Sequence, residues 1–129
     1  MWHIIHGEKT DWIPRIKQIL DSTHTDAFEP FDRFAQFENS KGKTLEMLLE
    51  EFKILRAENI DILKSLALTQ EELAKEGKHP QLGSVTLKNL LAAWTIHDLS
   101  HINQITRVLA KYLKHDVGPW EAYLTVIKS

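Results

Sequence analysis

The chain of 129 residues contains no cysteine. This absence excludes disulfide bonds, zinc ribbons, iron–sulfur clusters and a cysteine nucleophile. Any metal ion must therefore be bound by histidines and carboxylates, and any thiol chemistry must use a thiol of the substrate. The absence also agrees with a cytoplasmic protein, which is the location that we expect.

Three further features are missing. Basic residues are not in excess, because 16 Lys and Arg stand against 18 Asp and Glu, which argues against a nucleic-acid-binding surface. No apolar run approaches the ~20 residues of a transmembrane helix, so we expect no membrane contact. The amino terminus carries His, Glu and Asp and lacks the pattern of a signal peptide.

The first part of the chain shows the apolar spacing of an amphipathic helix. We predict a continuous helix from Trp2 to about Ser22 that is kinked at Pro14, because proline lacks the N–H that a helix interior needs. The alternative is a second helical piece that starts after Asp11 and is capped by it. No capping residue precedes Trp2, so the pattern begins as if an earlier piece were missing.

The rest of the chain also predicts helices, and no segment alternates like a strand, so the fold class is all-α in a single domain, 1–129. The predicted elements are helices at 45–66 and 87–113, capped by Thr44 and Thr86, a capping-box turn at 69–77, and a short helix after Gly118 with Trp120, Tyr123, Leu124 and Ile127 as its apolar face. The connection 23–43 is long, and its phenylalanines at 28, 31, 34 and 37 are expected to pack on the body of the domain.

The most informative stretch lies in the helix at 87–113. His97 and His101 are four positions apart, so both imidazoles lie on one face and can point at one spot. Both belong to the predicted core stripe of Leu87, Leu90, Leu91, Trp94, His97, His101, Ile105, Val108 and Tyr112. Burying an unpaired imidazole costs about 1–3 kcal/mol, and a metal ion would bind a nitrogen of each. The alternative is a pair of core histidines that are hydrogen-bonded to neighbouring helices or to buried water.

A metal site needs more than two ligands. His3 and His6 are the candidates for a third, and we expect them on different faces of the first helix. Glu8 and Asp98 are candidates to hydrogen-bond a ligand, although a solvated charge is the favoured interpretation of Asp98. The remaining histidines are expected in a turn (His79) and on the surface (His24 and His115). The His-Glu-x-x-His pattern of zinc proteases is absent.

Three segments of the chain resemble the DinB-like superfamily, which includes the YfiT-like metal-dependent hydrolases. They are HIIHGEKTDWIPR at 3–15, HPQLGSVTLKNLLAAWTIHDLSHINQI at 79–105 and VGPWEAYL at 117–124. The resemblance covers nearly the whole chain. It implies a four-helix bundle with a long crossover, commonly a homodimer, that binds a divalent metal ion (zinc, nickel or iron) through three histidines. Matched position by position, these ligands are His3, His97 and His101 rather than His6.

The same resemblance implies a metal-dependent enzyme that acts on a small molecule, either a hydrolase or a transferase of low-molecular-weight thiols such as bacillithiol or mycothiol. Three histidine ligands leave a coordination position for water or substrate. The matching pattern has a helix ahead of the position of His3, which this sequence lacks. Either the sequence starts late or the bundle is completed differently, for instance by a partner chain. The alternative function is a catalytically inactive helical module for dimerisation.

Overall fold

The structure is a computed structural model that describes residues 1–128, and it is mostly helical, which confirms the predicted class. The described residues contain α1 (Trp2–Thr10), α2 (Trp12–Leu20), α3 (Ala35–Asn39), α4 (Leu45–Ser65), α5 (Gln70–Leu73) and α6 (Leu87–Leu113). A small antiparallel hairpin, β1 (Glu76–His79) and β2 (Gly83–Thr86), precedes α6, and two 3₁₀ helices follow it at Gly118–Tyr123 and Thr125–Ile127. Among the described residues, no helix has both the length and the apolar character needed to cross a membrane.

The chain divides into two compact units, Met1–Leu91 and Ala92–Ser129, and the boundary falls inside α6. In the first unit α1 packs against α2, α3 and α4, and α2 also contacts α4 and β1. The buried apolar residues of this unit are Trp2, Ile5, Trp12, Ile13, Ile16, Ile19, Phe28, Leu87 and Leu90. The second unit contains the rest of α6 and the two 3₁₀ helices. The single-domain assignment stays a prediction.

The amino-terminal region forms two helices that meet at Asp11, so the predicted continuous helix is wrong and the alternative start after Asp11 is correct. Pro14 lies in the first turn of α2, where its missing N–H costs least. Asp11 makes no capping hydrogen bond with its side chain. Its carboxylate instead lies 3.1 Å from Arg15 one turn later, and both side chains are nearly buried.

The predicted helix starts at three threonines are confirmed. Thr44 accepts a hydrogen bond from the Met47 amide and so caps α4. Thr69 forms the expected capping box with Glu72 at α5, which ends at Leu73, before the predicted Gly77. Thr86 precedes α6. Its hydroxyl oxygen accepts a hydrogen bond from the backbone amide of Asn89, and its own backbone amide donates one to the side-chain oxygen of Asn89. These short-range caps satisfy amides that have no partner inside the helix.

The prediction that the chain contains no strand is wrong. The strands of the hairpin have four residues each and polar sequences, so they lack the alternation that identifies a strand. Tertiary contacts hold the hairpin instead. The Phe28 amide donates to the Lys78 carbonyl at 2.8 Å, and Gly77 lies directly against the side chains of Ile19 and Phe28. Gly83 has a φ of +78°, which suits the turn between the strands.

The connection at 23–43 packs only in part as expected. Phe28 is fully buried and Phe31 is half-buried. Phe34 and Phe37 are mostly exposed, so the prediction is wrong for these two residues. The connection also contains the short helix α3, which the sequence analysis did not predict.

The predicted core stripe of α6 is correct only in its first half. Leu87, Leu90 and Trp94 are buried, whereas Ile105, Val108 and Tyr112 are 54%, 67% and 81% exposed. Apolar periodicity identifies a helix face but not what covers it. The same holds after Gly118, where Ile127 is buried while Trp120, Tyr123 and Leu124 are exposed.

Candidate metal centre

His97 and His101 lie side by side on α6, in the second unit, as their spacing predicts. Their Nε2 atoms are 3.1 Å apart and their ring centroids 4.4 Å apart, with the ring planes at 78°. Both side chains are half-buried. The two imidazoles thus turn the same nitrogen toward one point, which is the geometry required of two ligands of one ion.

The 3.1 Å separation can be compared with metal coordination. An ion about 2.0–2.1 Å from each nitrogen, with ligand angles between octahedral and tetrahedral values, places the two nitrogens about 2.8–3.4 Å apart. The observed distance lies inside that range. Imidazole nitrogen is a suitable ligand for zinc, nickel, iron and copper. The pair therefore fits half of a metal site without a change of rotamer.

Gln104 is a contact of the pair that the sequence analysis missed. Its side-chain oxygen lies 2.9 Å from Nδ1 of His101, one helical turn earlier. The signal was present in the sequence, because residues three positions apart are neighbours on a helix surface. Asp98, the predicted candidate on α6 for a hydrogen bond to a ligating histidine, is half-buried.

His3 lies on α1, in the first unit, and its ring packs edge-on against Phe31 at a centroid distance of 4.8 Å. His6 packs against the same ring at 4.9 Å. The prediction that these two histidines lie on different faces is therefore wrong. Three residues advance a helix by about 300°, which leaves the two side chains only about 60° apart.

Glu8 belongs to a buried polar cluster that joins α1 to α4. Its carboxylate has no exposed surface and accepts two hydrogen bonds from Arg56, at 2.7 and 3.1 Å. Asn59, the one buried residue of α4, donates to both the carboxylate and the backbone carbonyl of Glu8. Arg56 and Asn59 of α4 thus hold this carboxylate against α1.

His79 occupies the predicted turn and organises it. Its Nδ1 accepts hydrogen bonds from the backbone amides of Gln81 and Leu82, at 3.1 and 3.2 Å.

Burial and the nearby Arg15 guanidinium lower the pKa of His79, whereas the Asp11 carboxylate acts to raise it. Burial raises the pKa of Asp11, although Arg15, His6 and His79 act in the opposite direction. The last two histidines, His24 and His115, are exposed as expected.

The three histidines that the resemblance predicts as ligands lie in both units, His3 in the first and His97 and His101 in the second. The family model described as the DinB superfamily matches residues 1–105, which include all three. A comparison with curated proteins gives no match. Because the match extends over most of the sequence, the chain belongs to the DinB superfamily.

Proposed function

We propose that this protein is a divalent-metal-dependent enzyme of the cytoplasm that uses His3, His97 and His101 as its ligands. The observation that carries the proposal is the 3.1 Å separation of the Nε2 atoms of His97 and His101. The membership in the DinB superfamily supports it. The ion would be zinc, nickel or iron, since imidazole ligands suit each of these metals.

The reaction that we propose is hydrolysis of a small molecule or transfer of a low-molecular-weight thiol. Three protein ligands leave a position for a substrate atom, and a bound divalent ion would supply Lewis-acid chemistry there. The chain contributes no thiol of its own, because it has no cysteine. A transferred thiol would therefore enter with the substrate. His97 and His101 would present neutral nitrogens at a fixed spacing on the long helix α6, which is a rigid support.

Metal analysis tests the proposal directly. The protein is purified without chelator, its metal content is measured by mass spectrometry, and the affinities for Zn²⁺, Ni²⁺ and Fe²⁺ are determined by competition. We expect close to one ion per chain, and a loss of affinity of at least 100-fold in His97→Ala and His101→Ala. His115→Ala is the matched control, because this histidine is exposed and is not one of the proposed ligands. Equal affinity in the control and in the ligand variants would refute the proposal.

The exposed face of α6 favours a second candidate, a homodimerisation module without catalysis. Leu99, Ile102, Leu109 and Leu113 are all at least half exposed, and their spacing of three, seven and four follows a coiled-coil seam. Apolar stripes of this kind mark protein contacts more often than free surface. We propose that a second copy of the chain covers this stripe and that a partner chain in this way completes the helical bundle.

Sedimentation velocity at several concentrations distinguishes these states. We expect a dimer for the wild-type chain and a shift toward monomer for Leu109→Gln. Lys111→Gln, an exposed position two residues further along the same helix, is the control and should sediment like wild type. A chain that stays monomeric at every concentration would rule out the dimer. The two candidates are compatible as structures, and only the absence of bound metal would favour the inactive module over the enzyme.

A further inference from the structure

The hydrogen bond between His101 and Gln104 determines where the proton of this imidazole lies. The amide oxygen of Gln104 is only an acceptor, and it lies 2.9 Å from Nδ1 of His101. Nδ1 must therefore carry the hydrogen and donate it. In a neutral ring the other nitrogen, Nε2, then has a free electron pair, and it is this atom that lies toward Nε2 of His97.

We propose that Gln104 is a positioning residue for the metal site, which fixes the tautomer and the ring orientation of His101. This inference rests on the proposed function, because it takes His101 as a ligand. A hydrogen bond to the outer nitrogen of a ligating histidine holds the ring in place and makes the inner nitrogen a stronger donor to the ion. Gln104 does both from the same helix, one turn beyond its partner.

The tautomer of His97 is a separate matter. With the electron pair of His101 on Nε2, the 3.1 Å contact between the rings is a hydrogen bond if Nε2 of His97 carries a hydrogen. To act as a ligand beside His101, His97 must carry its hydrogen on Nδ1. Gln104 therefore fixes the tautomer of His101 and not that of His97.

Because the Gln104 side chain is exposed, an effect of its substitution on metal affinity can be told apart from an effect on stability. Substitutions at exposed helix positions usually change the free energy of unfolding very little. Loss of an outer hydrogen-bond partner typically lowers metal affinity by about 10- to 100-fold. Asn103 offers a matched control, since it is an exposed side-chain amide at the adjacent position of the same helix.

The experiment combines two measurements on the full chain. Long-range ¹H–¹⁵N NMR of the zinc-free protein reports the tautomer of each imidazole, and competition with a chromophoric chelator gives the affinity for Zn²⁺. We expect Nδ1–H on His101 in the wild type. Gln104→Ala should mix the two tautomers and lower zinc affinity by about 10- to 100-fold. Gln104→Glu, which keeps an acceptor, should retain the tautomer and bind zinc at least as tightly, and Asn103→Ala should match wild type.

The possible failures are distinguishable. If Gln104→Ala leaves the tautomer of His101 and the zinc affinity unchanged, the inference is overturned. The proposed function would still stand in that case, provided that the wild-type chain binds zinc. A wild-type chain that binds no zinc would refute the proposed function and, with it, the role of Gln104 toward a ligand. Equal losses in Gln104→Ala and Asn103→Ala would also overturn the inference, because they would show an effect of the helix surface in general.

Discussion

Replacing Glu8 by leucine should destabilise the protein strongly, because it removes the carboxylate from the cluster that joins α1 to α4. Breaking a buried ion pair by removing one partner costs about 3–5 kcal/mol. Arg56 is 24% exposed and can turn partly toward water, so we expect the lower end of that range for Glu8→Leu. Arg56→Met should lie at the upper end, since the carboxylate that loses two hydrogen bonds is 0% exposed. Either loss is a large fraction of a typical stability of about 5–15 kcal/mol.

Urea denaturation followed by far-UV circular dichroism measures these differences. The double variant Glu8→Leu/Arg56→Met should be more stable than the sum of the single losses predicts, because both charges leave together. The control is the pair of Glu50 and Lys53 on α4, which is exposed and 3.7 Å apart, and whose removal should have little effect. Additive losses in the double variant, or a Glu8→Leu loss no larger than the control, would refute the electrostatic argument.

Two further predictions concern the hairpin. Gly77→Ala should lower the free energy of unfolding by about 1–3 kcal/mol, because the added Cβ would lie 2.7 Å from Ile19 and 2.8 Å from Phe28. Ser84→Ala, at an exposed position of the partner strand, is the control. Equal thermal midpoints for the two variants would contradict the packing. His79 should make stability fall as the pH drops below its ordinary pKa of 6.5, since its pKa is lowered in the folded state and the unfolded chain then binds the proton first. Unfolding curves from pH 5 to pH 8 should show a flatter profile for His79→Ala, and parallel profiles would contradict this.

The sequence predicted what depends on neighbours along the chain. The caps at Thr44, Thr69 and Thr86 were found because each threonine binds an amide three residues away. The adjacency of His97 and His101 followed in the same way from the helical period. The predictions of the long helices α4 and α6 were correct for this reason too.

Other features depend on contacts between distant parts of the chain, and these were not predicted. The hairpin has no apolar alternation and depends on Phe28, which lies about fifty positions earlier. Burial or exposure of an apolar side chain depends on which surface covers it, and apolar periodicity does not contain that information. The exposure of Phe34, Phe37 and the second half of the α6 stripe was missed for this reason. The contact between Gln104 and His101 is different, because it follows from helix geometry, in which residues three positions apart are neighbours.

The cluster around Glu8 joins residues that the ribosome makes at different times. Arg56 and Asn59 follow Glu8 by 48 and 51 residues. At a rate of synthesis of about 5–20 residues per second, these two partners are made roughly 2–10 s after Glu8. During that interval a buried position for Glu8 is unfavourable, so α1 remains in contact with water or with a chaperone. The packing of α1 against α4 therefore forms only after residue 59 has been made, and slow codons between 8 and 59 would lengthen the exposure of the apolar residues of α1.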